Sequence, residues 1–479
     1  MTGDDTPLGR RSYLRGLGAT AVAASLAGCG DYLPDRETDE TTRETPEETP
    51  ETTTDGAPES RTTDETTGET TEETVHEEAD RFETVVNVAD AGADASGEQP
   101  INGVLDEHLA DDTMLYFPEG RYRLDQWEVT GYTNLGLVGD GAVLVPPEER
   151  YWLLFGELRD LLVEGFTFDG SADGVAPTNH LAVTGGESVV RDVTWRGHRS
   201  KPRTGFAVAA ESEDADLLFE NVSLPDGSTG GHAVFAFPRS VGRLTFRDCR
   251  VEHWAEGLYV SYHSGPLRVI GGYYANNGIQ QVRVGGGHAG ALVRGVTVRV
   301  DDPRQPQHKP NMRGIWMEEG GSVRVENCDI AVTDLSGTYS SGAIVVGKEF
   351  GAATIENTRI RTDADAYGIL VRDPVEEVDE DSMPSMDRLP DDWEVTCRNV
   401  RITGSAPEGT AVRVDRRDDC VFENVCIGHD RGSRDGVAVS GAQGCAVRDS
   451  TIDVPGATIA TDEATVKTSR VRERGGCEE

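Results

Sequence analysis

The sequence predicts an all-β chain wound into a coiled parallel sheet, and three observations carry that expectation. Glycine makes up 56 of the 479 residues, well above the usual ~7%, which suits a fold rich in tight turns. Hydrophobic residues reach 36%, enough for a packed core. A short unit also recurs: eleven copies between Gly165 and Asp449 are spaced by a mean of 28.4 residues, and a fixed period of this length signals a solenoid.

The chain before the repeat divides by charge. Residues 1–29 read as a twin-arginine export signal. Arg10-Arg11-Ser12-Tyr13-Leu14-Arg15 precedes a small-residue apolar run, and Leu26-Ala27-Gly28-Cys29 has the form of a lipobox that leaves a lipidated Cys29 at the mature N-terminus. The run is shorter than the ~20 residues a spanning helix needs. Residues 30–82 form a low-complexity linker, with 19 acidic side chains, three arginines and 15 threonines over 31–80. Such a stretch buries too little apolar area to offset its chain entropy and is expected to stay an extended tether. The expectation is a protein secreted by the twin-arginine route and held by its lipid on the outer face of the cell membrane; an acidic tail with a binding role of its own is the alternative.

Residues 83–479 are expected to form one domain. Val86-Asn87-Val88 opens it, and Ile101, Val104, Leu105, His108 and Leu109 then fall at helical spacing. The repeat follows: Arg or Glu, then Asn, Asp or Gly, two residues, and an aliphatic or aromatic one. Glu164-Gly165-Phe166-Thr167-Phe168, Arg247-Asp248-Cys249-Arg250-Val251, Glu326-Asn327-Cys328-Asp329-Ile330 and Arg448-Asp449-Ser450-Thr451-Ile452 are four of the copies. Asn, Asp and Gly are the residues that tolerate a left-handed backbone, so each copy predicts one sharp bend per coil. A second strand in each repeat opens with glycine, as in Gly205-Phe-Ala-Val, Gly257-Leu-Tyr-Val and Gly314-Ile-Trp-Met.

With these motifs the chain resembles the right-handed parallel β-helix proteins of the pectate-lyase-like superfamily, over roughly residues 84–472. The resemblance implies a single-stranded right-handed solenoid of about 11–13 coils, with the short helix closing its N-terminal end. It leaves activity open, because the superfamily includes lyases, hydrolases, epimerases, phage spikes and surface proteins with no known chemistry.

The eight cysteines are accounted for only in part. With Cys29 lipidated, seven remain. Cys420 and Cys445 each lie four residues before a repeat turn and should stack one coil apart, as a disulfide or as two small core residues. No Cys-x-x-Cys pair occurs, and no metal site or cofactor is expected.

Net charge is −41, with only four lysines among 45 basic residues. This excess of carboxylates fits adaptation to high salt and excludes a nucleic-acid partner, which needs basic patches. Strand alternation then selects the outward residues. Val208, Val234, Val260, Met317, Val345, Val371, Val412 and Val439 should face inward, with Gln281 and Arg283 outward on the irregular coil between them. Tyr259, Arg283, Trp316 and Glu318 therefore share one face, with His263 and Lys348 at strand ends and Arg372 beyond. Long insertions at 301–313, ending in Arg313, and at 373–392 flank the same coils.

Aromatics, cations and a carboxylate in a groove suit a polysaccharide partner with acidic sugars. Tyr259, His263, Glu318 and Arg283 are the candidate catalytic residues: Arg283 to neutralise a uronate, His263 or Tyr259 to move a proton, Glu318 as acid or base. Trp316, Arg313, Lys348 and Arg372 are the candidate substrate-binding residues. Glu319 should point away, and His232 inward. Two classes of function follow, a surface polysaccharide lyase or glycosidase and a non-catalytic glycan-binding or structural protein; either is expected to be a monomer.

Overall fold

The computed structural model describes residues 76–147, 152–175, 177–200, 204–304, 311–335 and 337–477. The expected signal, Cys29 and nearly all of the linker lie outside them, as do His308 and Lys309 of the first insertion. Residues 78–82, read from sequence as the end of the linker, already pack: Ala79 and Phe82 are buried against Met114 and Leu162, and Glu78 pairs with Arg191 at 2.6 Å.

Strands pair in parallel, each with its counterpart one coil on, giving a right-handed parallel β-helix of about 14 turns. Such crossovers are right-handed in nearly all proteins. The count exceeds 11–13 because the first coils lack the repeat signature. Thr84–Asn87 pairs with Thr113–Phe117, which pairs with Leu135–Val145, before the first motif copy is reached. The helix forms at Asn102–His108, with Ile101 and Leu105 buried in the core.

Each regular coil contributes to three strand files. The first ends at the repeat motif, the second follows its bend, and the third is the glycine-opened strand. The turn residues Asp192, Asn221, Asp248, Asn327, Asn357, Asn399, Asn424 and Asp449 all have φ between 51° and 58°, and Gly165, Gly271 and Gly295 also lie at positive φ. Side chains link successive bends: Asn399 Nδ2 donates to Asn357 Oδ1 at 3.1 Å, and Asn424 Nδ2 to Asn399 Oδ1 at 2.7 Å.

The residue before each bend explains why the motif begins with Arg or Glu. Consecutive copies face each other across coils, so acids and bases pair in ladders. Glu164 pairs with Arg191 at 2.8 Å and Glu220 with Arg247 at 2.8 Å. Glu356 pairs with Arg398 at 3.2 Å, and Glu423 with Arg398 at 3.5 Å and Arg448 at 3.3 Å. Like charges stacked at the ~4.8 Å strand spacing repel, and where Glu326 does face Glu356, Arg324 lies 3.1 Å from the first and 3.5 Å from the second.

Inside the solenoid, Val208, Val234, Val260, Met317, Val371, Val412 and Val439 are core residues, as alternation requires. Val345 is the exception. Ile315 pairs with Ile344 and Trp316 with Val345, so Ala343 rather than Gly342 aligns with Gly314, and the extra residue moves Val345 to the outer face beside Trp316 and Leu370. Gln281 also departs from the outward expectation: its Nε2 donates to the Asn277 carbonyl at 2.9 Å, its Oε1 accepts from the Asn277 amide at 2.8 Å, and no part of it is exposed.

Cys420 and Cys445 do stack on adjacent coils, but as free thiols, both donating to the Arg417 carbonyl. The disulfide is Cys426–Cys477, which sequence reasoning missed. Among the described residues no helix is long and apolar enough to cross a membrane.

Candidate functional site

The outer face of the third file carries an unbroken register: His180, Ala207, Phe235, Tyr259, Arg283, Trp316, Val345, Leu370 and Arg413 occupy one position on successive coils. Four of the expected residues meet here. Arg283 stacks on Tyr259, 3.6 Å from the ring centroid, and on Trp316 at 4.1 Å. Its Nε and Nη2 both donate to the carboxylate of Glu318, and its Nη1 lies 3.4 Å from Glu256. Ser261 Oγ donates to Glu318 Oε2 at 2.5 Å. A planar guanidinium suits this position because it can stack on rings and fork onto a carboxylate at once.

The face continues as a band of rings. Phe235 lies edge-on to Tyr259 at 5.2 Å and to Phe237 at 5.3 Å, and Tyr262 is 5.2 Å from Tyr259. His232, expected to point inward, faces this band. Its ring is 5.1 Å from Tyr259, and its Nε2 is 3.3 Å from Glu256. The register explains it: His232 aligns with Glu256, two residues before the regular alternation begins at Val234. Burial would raise the Glu256 carboxyl, but His232 and Arg283 outweigh it and hold it at about 2.

Most of this cluster is already satisfied. Tyr259, Arg283, Trp316 and Glu318 are each buried. Burial pushes the Tyr259 hydroxyl well above its ordinary value, with the Glu318 charge adding to the effect although Arg283 opposes it. Arg283 is itself held firmly protonated: burial works against its charge, and Glu318 overcomes that.

His263 stands apart. It is wholly buried, with Nδ1 2.8 Å from Ser240 Oγ and Nε2 3.3 Å from the Pro266 carbonyl, and burial lowers its proton affinity to about 4. Its two nitrogens brace a turn and are not directed to the cluster.

The cations expected to bind substrate behave differently from Arg283. Arg313 also stacks on Trp316, at 3.9 Å, and its Nε donates to Ser341 Oγ at 3.1 Å. It is only 9% exposed, and among the described residues no carboxylate lies at ion-pair distance from it. Burial and the charges of Arg372 and Arg283 together pull it down to about 9. Arg372 and Lys348 likewise have no ion pair among the described residues; Lys348 is exposed and Arg372 half-buried.

Glu319 was expected to point away, and a break in register changes its surroundings. The pairing shifts between Met317 and Glu319, which brings Glu319 opposite Glu349 on the next coil. Glu319 is wholly buried: its Oε2 accepts from the Ser385 amide at 3.3 Å, and its Oε1 has no partner. Burial, then the Glu318 charge, raises its carboxyl to about 9. Burial also raises Glu349. The signal available in the sequence was the Gly320-Gly321 pair after Glu319, since glycine inside a strand marks a bulge. Among the described residues no group of His, Cys, Asp or Glu is disposed to hold a metal ion.

No family model matches the chain, and no curated protein does. Solved structures similar to it include a surface adhesin of Streptococcus pneumoniae, PfbA, at 10% identity and a TM-score of 0.41, covering 81% of this chain and 92% of that one. The A-module of a mannuronan C-5 epimerase of Azotobacter vinelandii is similar at 12% identity and a TM-score of 0.35, over 82% of this chain and 100% of that one. So is a hyperthermoactive exopolygalacturonase of Thermotoga maritima, at 12% and 0.35, over 82% and 92%.

Proposed function

We propose that this is a carbohydrate-active protein of the cell surface that takes up an acidic glycan along its third file, between His232 and Arg372. The observation that carries this reading is Arg313: a buried guanidinium stacked on Trp316, with no carboxylate at ion-pair distance among the described residues, in a chain of net charge −41. Leaving a buried charge uncompensated costs several kcal/mol, so a ligand that supplies a carboxylate or sulfate there recovers part of that cost. Arg372 and Lys348 would extend the same cationic ground, and the ring band from Phe235 to Trp316 would offer apolar area to sugar faces. Export by the twin-arginine signal and a lipid on Cys29 would hold the domain outside the cell.

Binding without bond cleavage is the form this geometry supports best, because Tyr259, Arg283 and Glu318 are consumed by contacts with one another. Cleavage, by a lyase or a glycosidase, is the second reading, and Glu319 favours it. A carboxyl that keeps its proton at neutral pH beside the ionised partner of Arg283 separates two carboxyls into donor and acceptor.

The test is calorimetric titration of the purified protein with acidic and neutral oligosaccharides of matched length in molar salt. The reading requires binding of the acidic series alone or with clear preference; equal affinity, or none in either series, overturns it. Assaying the same mixtures for new reducing ends and for the ultraviolet absorbance of unsaturated sugars decides between binding and cleavage.

A further inference from the structure

The connection 373–392 is built unlike the turns around it. Both of its roots are tied to one buried guanidinium, that of Arg417. Arg417 Nε donates to the Arg372 carbonyl at 3.1 Å, and its Nη1 reaches the Trp393 carbonyl at 3.4 Å. The same group donates to the carbonyls of Gly347, Phe350 and Gly351, all at 2.9–3.0 Å. The roots are therefore fixed to the coil that carries Lys348 and Glu349. Between them the segment presents a mostly exposed acidic run at 376–381 and then folds down, burying Met383 and Met386. Two polar contacts hold the folded part: the Ser385 amide on Glu319, and His288 Nε2 to Asp387 Oδ1 at 3.0 Å.

We propose that 373–392 is a lid on fixed roots, closed over the strand end that bears Glu318 and Glu319 while the buried carboxyl of Glu319 is uncharged, and released when that carboxyl loses its proton. Charge explains the latch. Glu319 is faced by Glu318 and by Arg283, whose fork Glu318 already occupies. Glu349 lies opposite it one coil on, and the Tyr262 hydroxyl senses its charge. The lid itself carries nine acidic residues against Arg388 alone. An anion formed at Glu319 would meet carboxylates from three directions, with one unpartnered oxygen, and Arg283, the cation that acts on it, is already engaged by Glu318. The Ser385 amide donates to Glu319 and by itself favours the anion, but burial and then the Glu318 charge outweigh it, and as an uncharged acid Glu319 costs far less to bury.

Linkage fixes the direction and the window. With the lid closed, the carboxyl holds its proton to about 9, against an ordinary value of 4.5 when solvated. Between those limits the closed form carries the extra proton. The open population should therefore rise about tenfold per pH unit across that range, with closure fully favoured below it and no further opening above it.

Limited proteolysis reads the open population when reclosing outpaces cleavage. Wild-type protein and Glu319→Gln, which keeps the shape and loses the proton, are digested side by side from about pH 6 to about pH 10, and cuts within 382–387, where Met383 and Met386 are buried in the closed form, are mapped by mass. Taking the ratio of the two rates cancels the protease's own pH dependence. A ratio climbing about tenfold per unit and levelling near about pH 9 is the expected result; a ratio independent of pH overturns the lid. His288→Ala should leave the slope unchanged, and a slope that vanishes there transfers the latch to His288 and overturns the role of Glu319. Should the Gln variant fold poorly, hydrogen exchange of the 382–387 amides relative to those of 369–371 in the wild-type protein carries the same slope. The lid's role in gating the site rests on the glycan reading, but no sugar enters these measurements, so the two can fail separately.

Discussion

Arg313 and Arg372 are neighbours of like charge with no carboxylate at ion-pair distance from either among the described residues, and the field of Arg372 adds to burial in lowering the proton affinity of Arg313. Along the repeat bends, by contrast, Arg191, Arg247 and Arg398 meet acids in register. Arg313→Gln should therefore weaken binding of an acidic oligosaccharide by about tenfold to hundredfold, the worth of one hydrogen bond to a charged group. Thermal stability should hold or rise, since an uncompensated buried charge is removed. Titration and a melting curve on the same variant check both halves; a large fall in melting temperature with unchanged affinity would make Arg313 a structural residue.

Salt should act in the opposite sense from ordinary polyanion binding. A protein of charge −41 repels an acidic chain at long range, and that repulsion is screened over ~10 Å at 0.1 M salt and ~3 Å at 1 M. The contact at Arg313 is buried and is screened much less. Affinity for an acidic oligosaccharide should thus rise between about 0.1 M and about 1 M salt, where a basic protein would lose it. Titrations at three salt concentrations check this, and a fall with added salt would mean that exposed cations such as Lys348 dominate.

The fold was largely legible because each repeat states its own constraint: Asn, Asp or Gly at the bend is the residue that left-handed backbone demands, and Asn327 and Asp449 sit at φ 58° and 55° as that reasoning requires. The face was legible for the same reason, since alternation placed Tyr259, Arg283, Trp316 and Glu318 together. What alternation could not carry was a change of phase. One extra residue after Gly342 turned Val345 outward, and the shift between Met317 and Glu319 put Glu319 against Glu349. Burial was also invisible: outward residues were expected to meet solvent, whereas Arg283 and Glu318 bury each other. Cys426–Cys477 was hidden because Cys477 lies beyond the last repeat copy, where no period predicts its neighbours.

The bends themselves yield a graded test. Asn399 combines a left-handed backbone, φ 54°, with side-chain bonds to Asn357 and Asn424. Asn399→Gly keeps the backbone and loses the bonds, at about 1 kcal/mol. Asn399→Ala loses both and should cost about 1 to 2 kcal/mol more. Chemical denaturation gives the order; equal losses would mean that the side-chain ladder, not the backbone, sets the residue choice.

Glu318 separates architecture from chemistry. Removing one member of a buried ion pair leaves the other charge unmatched, typically at about 3 to 5 kcal/mol. Glu318→Gln should destabilise the domain toward the lower end of that scale, because Arg283 stays in place and keeps only Glu256, at 3.4 Å, and Arg283→Met added to it should recover much of the loss. A double-mutant cycle on unfolding free energies measures the coupling. Near-zero coupling would show that solvent already satisfies Arg283, leaving Glu318 free for a role toward ligand.

Reduction of Cys426–Cys477 should act locally. Each coil of a solenoid is stabilised chiefly by its neighbours, and the last strands, Ile459–Asp462 and Val466–Ser469, have a coil on one side only in the described pairings. The disulfide closes a separation of 51 residues, which in the chain-entropy treatment stabilises by about 4 kcal/mol at most. Breaking it should fray the coils from about Val421 onward while the ring band and the lid stay folded. In Cys477→Ser, hydrogen exchange should accelerate across 445–469 and remain unchanged at 256–326. Uniform acceleration along the whole solenoid would mean that it unfolds as a single cooperative unit, with the disulfide stabilising every coil alike.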